Sequence, residues 1–105
     1  MNKVFIYVTT ETMADAQRIG TAVVESRLAA CANILPGMMS IYCWQGEVRQ
    51  ASEAVLILKT RAELTDAVVA KVKALHPYEC PCAVAIPISG GNPDFLKWID
   101  VETGQ

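Results

Sequence analysis

The chain has 105 residues, of which 52% are hydrophobic, and it carries a formal net charge of −2. This length predicts a single domain that spans residues 1–105. The nine Lys and Arg residues are scattered, which excludes the basic patch of a typical nucleic-acid-binding protein, and no apolar run approaches the roughly 18 residues that cross a membrane.

The N-terminal segment predicts no secretory signal peptide, because one Lys precedes a short apolar run that lacks a small-residue cleavage site. We therefore expect a cytoplasmic protein. In that compartment the four cysteines are expected to be reduced thiols rather than a disulfide framework.

The first elements are a strand near residues 3–10 and a helix. The helix begins with Thr12 as N-cap and Asp15 three residues later, a capping box with Asp in place of the usual Glu. Ile19 and Val23 recur at helical spacing, and the helix is predicted to end near Ala30.

A long β-hairpin follows, with arms at residues 31–47 and 53–60. Polar and glycine residues at 45–47 and 50–52 supply its turn, whereas residues 41–44 and 54–58 are apolar at every position. Pro36 and Gly37 predict a kink or bulge in the first arm. Continuous apolar strands indicate burial on both faces.

The second half repeats the alternation of helix and strand. Residues 60–63 fit a capping box that begins at Thr60, and Pro77 ends the helix after His76. The last strand spans residues 82–88, and Pro87 favours an edge position. Asn92 and the following proline are typical of the N-cap and first position of a short C-terminal helix.

The order βαββαβ predicts an α+β fold: a ferredoxin-like sandwich of four antiparallel strands with two helices on one face, a long hairpin between the second and third strands, and a short C-terminal helix. Two layers leave the second sheet face open. Because the strands are apolar on that side as well, we expect another copy of the chain to cover it.

Four blocks of the chain, in this order and spacing, resemble the CutA family of divalent-cation tolerance proteins: residues 27–34 (RLAACANI), 40–46 (SIYCWQG), 58–60 (LKT) and 75–81 (LHPYECP). The resemblance runs from the first strand to Trp98. It implies a homotrimer similar in architecture to PII-type signalling proteins, and a link to tolerance of copper and other divalent cations. We expect no enzymatic activity and no obligatory cofactor.

The resemblance also implies metal ligands at three positions, and the sequence retains one of them. In metal-binding members a Cys near the end of the first strand and a His-His pair before Pro are the ligands. The matching positions here are Val8, Leu75 and His76. A single imidazole is a poor copper site, so weak divalent metal binding is expected, through His76 with Glu79 or a cysteine such as Cys31.

Several of these residues also have plain structural explanations. Cys80 and Cys82 would share a face of an extended segment and could hold a soft ion, but free cysteines usually act as small buried hydrophobes. His76 and Glu79 could be ligands or an acid-base pair, but His76 could instead interact with the dipole of the preceding helix. No nucleophile or second base accompanies them, which argues against catalysis.

Polar side chains at strand and helix ends predict a ligand cleft at each subunit boundary. Its expected residues are Lys59, Trp44, Tyr78 and Glu79. The expected partner of Lys59 is Glu79, with Glu47 or Glu53 across an interface, or an anionic ligand, as the alternatives. Three functions remain open: a trimeric metal-binding or metal-responsive protein, a PII-like sensor of a small molecule, and an interaction scaffold.

Overall fold

The computed structural model describes residues 2–104. Its elements are β1 (Lys3–Thr10), α1 (Met13–Glu25), β2 (Cys31–Trp44), β3 (Glu47–Arg61), a 3-10 helix (Ala62–Leu64), α2 (Thr65–Leu75), β4 (Ala83–Ile88) and α3 (Pro93–Glu102). Among the helices of this range, none has the length and apolar character needed to cross a membrane.

The four strands form one antiparallel sheet in the order β2-β3-β1-β4. This order, with α1 and α2 on one face, confirms the predicted ferredoxin-like α+β fold, and β4 has the edge position that Pro87 predicted. The core lies between the helices and this face. Its fully buried members include Ile6, Leu56 and Leu58 from the strands, with Ile19 and Val72 from the helices.

The first helix ends five residues earlier than the sequence predicted. Its last residue is Glu25, and Arg27 adopts the left-handed conformation with φ 63°. The Leu28 N–H donates to the Val23 carbonyl at 3.1 Å and the Arg27 N–H donates to that of Val24 at 3.0 Å. These two bonds form a Schellman motif, which usually has Gly where this chain has Arg27. The end of the helix was predicted too late because the sequence lacks the Gly that usually marks this motif.

The hairpin turn is shorter than predicted. Only Gln45 and Gly46 separate the strands, with φ values of 52° and 80°, the left-handed pair that a two-residue type I′ turn needs. Residues 50–52 are therefore part of β3 and not of a turn, and β3 begins at Glu47. The register of the hairpin shifts between Leu35 and Met38, which confirms the predicted irregularity at Pro36 and Gly37.

The predicted capping box at Thr60 is wrong. Thr60 is the buried penultimate residue of β3, and its hydroxyl donates to the Leu28 carbonyl at 2.6 Å. The helix starts later, through a 3-10 turn that has no side-chain cap. By contrast, Thr12 accepts from the Asp15 N–H at 3.0 Å and Asn92 accepts from the Asp94 N–H at 3.0 Å, so the other two predicted N-caps are confirmed.

The second face of the sheet is open over most of its area. Strand register places Phe5, Tyr7 and their neighbours on this face, together with three hydrophobic residues that are about half exposed: Leu35, Val84 and Ile86. The helix α3 covers one end of the face, where Lys3 Nζ lies 3.0 Å from Asp100 Oδ1 and Arg61 Nε donates to Thr103 Oγ1 at 2.9 Å.

Candidate functional site

A groove of about 760 Å³ lies between the outer part of the hairpin and the segment that joins α2 to β4. The hairpin contributes Tyr42, Trp44 and Glu53, and the connecting segment contributes Tyr78 and Glu79. The other lining residues are Thr9, Met39, Ser40, Ile41, Arg49, Cys80 and Cys82. The groove therefore brings together three of the four predicted cleft residues: Trp44, Tyr78 and Glu79.

His76 lies behind the groove, and both of its ring nitrogens are in hydrogen bonds. Its Nδ1 accepts from the Tyr78 backbone N–H at 3.1 Å, so this nitrogen carries no proton, and Nε2 lies 2.8 Å from the Thr9 carbonyl oxygen, to which it donates. The residue is 7% exposed. A neutral imidazole in this tautomer has no lone pair free for a metal, and its role here is to fix the backbone at Tyr78.

Tyr78 connects the two walls of the groove. Its hydroxyl donates to Glu53 Oε2 at 2.7 Å, and its ring lies 4.6 Å from the His76 ring, centroid to centroid. Burial raises the pKa of Tyr78 well above its ordinary value, and the hydrogen bond to Glu53 and the negative charges of Glu53 and Glu11 raise it further. The phenol is therefore neutral, and its environment is negative.

The four cysteines are free. Cys80 is exposed on the groove and Cys82 is half buried, with its thiol 3.9 Å from the Tyr7 carbonyl oxygen. Burial raises the pKa of Cys82, and the charge of Glu53 adds to the effect. Cys43, expected to be buried within an apolar run, is exposed in this chain, because the hairpin tip projects beyond the core.

Lys59 and Cys31 lie at the opposite end of the sheet from His76. The register pairs Cys31 with Lys59 and Lys59 with Phe5, whereas His76 contacts Thr9, four residues or about 13 Å further along β1. The Lys59 ammonium lies 5.4 Å from the ring centroids of Phe5 and Phe95. Within one chain, therefore, Cys31 does not join His76 and Glu79, and Lys59 does not pair with Glu79.

The residues present do not form a prepared metal site in one chain. Among residues 2–104, no group of three or more His, Cys, Asp or Glu side chains is close enough to hold a metal ion. Val8, at the position of the family's Cys, is fully buried in the core. The carboxylates of Glu53 and Glu79 and the thiols of Cys80 and Cys82 share the groove wall, so donors are present, but they are not preorganised.

The sequence analysis did not predict the hydrogen bond between Tyr78 and Glu53, and it did not place Tyr42 in the groove. The available signal for Glu53 was its position directly before the apolar run 54–58, where a carboxylate is out of place unless it has a partner. Tyr42 precedes Trp44 by two residues, so in a strand the two side chains point to the same side.

The model of the family described as CutA1 divalent ion tolerance protein matches residues 4–102. A protein of Thermus thermophilus named divalent-cation tolerance protein CutA is 46% identical over 99 residues, which cover 94% of this chain and 96% of that protein. The rice protein CutA 1, chloroplastic, is 41% identical over 97% of this chain, and the match spans 58% of the rice protein's length.

Solved structures agree with the sequence matches. The Thermus thermophilus Cut A1 structure has a TM-score of 0.94 at 44% identity, covering 97% of this chain and 99% of that one. A structure from Archaeoglobus fulgidus, named a periplasmic divalent cation tolerance protein CutA, has a TM-score of 0.93 at 42% identity, covering 96% and 98%. Since one of these relatives is named chloroplastic and another periplasmic, the cytoplasmic location of this chain stays a prediction.

Proposed function

The chain belongs to the CutA1 divalent ion tolerance protein family, and we propose that it acts in the response to metal ions as a homotrimer that binds divalent cations weakly. The observation that carries the metal proposal is the groove wall, where two carboxylates and two thiols face a common space without forming a prepared ligand set. Affinity for a transition metal depends on several suitable ligands held in a fixed geometry. We therefore expect weak binding.

The open sheet face supports the trimer. Leu35 and Val84 are each more than half exposed there, next to Ile86, and contiguous apolar surface of this kind marks a protein-protein contact. Static light scattering should give three times the mass of one chain at micromolar concentration. A monomer at that concentration would overturn this part of the proposal.

Calorimetric titration with Cu²⁺ tests the metal site. We expect a dissociation constant weaker than about 1 µM, which corresponds to about −8.2 kcal/mol. Glu79→Gln and Cys80→Ser should weaken binding, whereas His76→Ala should leave it within about twofold, because both imidazole nitrogens are already in hydrogen bonds. Glu25→Gln, on α1, is the matched control. A nanomolar constant would show that the donors converge.

We further propose a binding role rather than a catalytic one. The chain has a single histidine, and His76 offers no free nitrogen as a general base in this structure. A second candidate, a sensor of a small molecule, is favoured by the size of the groove, because about 760 Å³ is within the range of pockets that hold organic ligands.

A further inference from the structure

We propose that the groove binds a small organic ammonium cation, with the rings of Tyr42, Trp44 and Tyr78 as its walls and the carboxylate of Glu53 as its counter-ion. This inference rests on the second candidate function, a sensor of a small molecule, and it uses the same groove and the same Glu53 as the proposed metal site. The chemistry differs, because an ammonium ion needs aromatic faces and a nearby negative charge rather than a set of coordinating atoms. The two proposals can fail separately.

The shape of the groove comes from strand pairing and from one loop contact. Tyr42 and Trp44 are two apart on β2 and so share a face, with Arg49 and Glu47 directly opposite them on β3. Opposite this wall, Tyr78 is held by its backbone bond to His76 and its hydroxyl bond to Glu53. Two independent anchors therefore fix the third aromatic ring before any ligand arrives, which lowers the entropic cost of binding.

The aromatic residues of the groove are partly exposed in a single chain. Trp44 is 36% exposed and Tyr42 is 43% exposed, and both line the groove. A cation within about 6 Å of such a ring face is attracted by the ring quadrupole, and Trp is the most favourable ring. An anion would meet the negative faces of the same rings.

The charge of the groove also favours a cation. Glu53 and Glu79 line it, and Arg49, the cation in its wall, is paired with Glu47 at an Nη2–Oε1 distance of 3.2 Å. Both Tyr78 and Cys82 have pKa values raised in part by Glu53, which is the expected response of acidic groups to a negative local potential. Lys59 of the same chain is at the far end of the sheet and does not neutralise it.

The hydrogen bond from Tyr78 orients Glu53 without neutralising it. A phenol that donates to a carboxylate leaves the full negative charge in place, whereas an arginine or lysine partner would cancel it. Glu53 is only half buried, so its charge is accessible from the groove. The combination of a fixed anion and flanking rings is the usual composition of an alkylammonium site.

Tetramethylammonium chloride is a suitable probe, because it has charge and methyl surface but no hydrogen-bond donor. The full-length protein, in its native assembly and labelled with ¹⁵N, is titrated at constant ionic strength, with sodium chloride as the salt control and tert-butanol as a neutral molecule of similar size. We expect saturable shifts of the Trp44 indole and of the Tyr42 and Tyr78 amides, at about millimolar affinity. Neither control should reproduce them.

Three variants test the chemistry. Trp44→Leu keeps the apolar volume but removes the ring, and Glu53→Gln keeps an acceptor for Tyr78 but removes the charge; each should weaken binding by about threefold to tenfold. Arg49→Gln removes a positive charge and should strengthen binding by about twofold. Damage to the fold would not increase affinity, so this gain separates electrostatics from structure. Glu25→Gln is the charge-matched control and should bind like the wild type.

The proposal is overturned if the wild type shows no saturable shift up to about 100 mM probe, a limit that corresponds to roughly −1.4 kcal/mol. It is also overturned if tert-butanol binds as well as the cation, or if Trp44→Leu and Glu53→Gln bind unchanged while their melting temperatures match the wild type. Loss of Cu²⁺ binding in Glu79→Gln with retained tetramethylammonium binding would show that the metal and ammonium sites are separate.

Discussion

The two ends of the open sheet face carry opposite charges and differ in how far the chain itself compensates them. The end under α3 holds the cations Lys3, Lys59 and Arg61, and the groove end holds the carboxylates Glu53 and Glu79. Arg61 pairs with Glu63 at 2.8 Å, and Lys3 lies 3.0 Å from Asp100. At the groove end, the partner of Glu53 is a neutral phenol.

This difference in charge compensation suggests different roles for the two ends, one in stability and one in ligand binding. A buried cation is stable only with a partner, because removal from water costs several kcal/mol. At the α3 end the same chain supplies carboxylates for the buried Lys3 and Arg61, and the half-buried Lys59 lies against the rings of Phe5 and Phe95. Charge that the chain leaves uncompensated remains available to a ligand. We therefore assign the α3 end to stability and the groove end to recognition, and three experiments can break or sharpen that assignment.

The largest effect is expected for Arg61→Met. Arg61 is 7% exposed, and its guanidinium donates to Thr103 Oγ1 at 2.9 Å, the Thr103 carbonyl at 2.8 Å and Glu63 Oε2 at 2.8 Å. Methionine retains much of the apolar stem but none of these bonds, and Thr103, the C-cap of α3, loses its hydrogen bonds to β3. We expect the free energy of unfolding in urea to fall by about 2–4 kcal/mol.

Arg27→Met is the matched control for that variant. The Arg27 ion pair with Glu102 has a similar N–O distance of 3.2 Å, but its side chains are 66% and 39% exposed. Surface pairs contribute about 0–1 kcal/mol. If the two variants lost equal free energy of unfolding at the same protein concentration, the buried charges at the α3 end would not be a special source of stability.

Local signals predicted most of the fold. The bounds of β1, the N-caps at Thr12 and Asn92, and the irregularity near Pro36 depend on residues that are close in sequence. The errors arose where a distant partner or an unusual conformation decided the outcome. The hydroxyl of Thr60 bonds the Leu28 carbonyl across 32 positions, and no local pattern indicates that choice.

The candidate site was predicted in part, because sequence identifies element ends but not always which end of the sheet they reach. Trp44, Tyr78 and Glu79 do line one groove. Lys59 was grouped with them, and His76 was paired with Glu79 as a metal ligand, because both lie at element ends. The 11 residues of α2 separate those two ends by about 16 Å, and this helix carries the chain from one end of the sheet to the other.

A moderate effect is expected for Tyr78→Phe, at the groove end. The variant loses a hydrogen bond of 2.7 Å to a carboxylate that is only partly shielded from water, so we expect a loss of about 1–2 kcal/mol in the free energy of unfolding. Tyr42→Phe, on the exposed wall, should change it by less than about 0.5 kcal/mol. A loss as large as that of Arg61→Met would make the groove end a structural cluster as well.

The difference in the free energy of unfolding between wild type and Tyr78→Phe should depend on pH with a definite sign. The folded-state pKa of Tyr78 is raised, chiefly by burial and then by the bond to Glu53. The protonated Tyr78 hydroxyl therefore makes its full contribution to the free energy of unfolding below the unfolded-state pKa of about 10. This contribution is lost as the pH rises through the higher folded-state pKa. The stability difference between wild type and Tyr78→Phe should be constant near neutrality and shrink in strongly alkaline solution. A difference that grows there would reverse the assigned cause.

The smallest effect concerns two half-buried thiols, one at each end of the open face. Burial raises the pKa of both, but the positive charge of Lys59 opposes the shift at Cys31, whereas the negative charge of Glu53 adds to it at Cys82. The thiols therefore report the potential at the two ends of the sheet. Because the thiolate is the nucleophile, the rate of alkylation follows the thiolate fraction.

Opposite charge removals should change the two rates in opposite directions. In Lys59→Met the pKa of Cys31 should rise further, so that Cys31 should react with iodoacetamide at pH 8 about two- to threefold more slowly. In Glu53→Gln the pKa of Cys82 should fall, so that Cys82 should react faster by a similar factor. Mass spectrometry of the labelled peptides gives both rates in one sample, so each thiol is the control for the other variant. If either substitution changed the alkylation rates of both thiols by the same factor, the electrostatic potential would not differ between the two ends of the sheet. The assignment of stability to one end and recognition to the other would then lose its electrostatic basis.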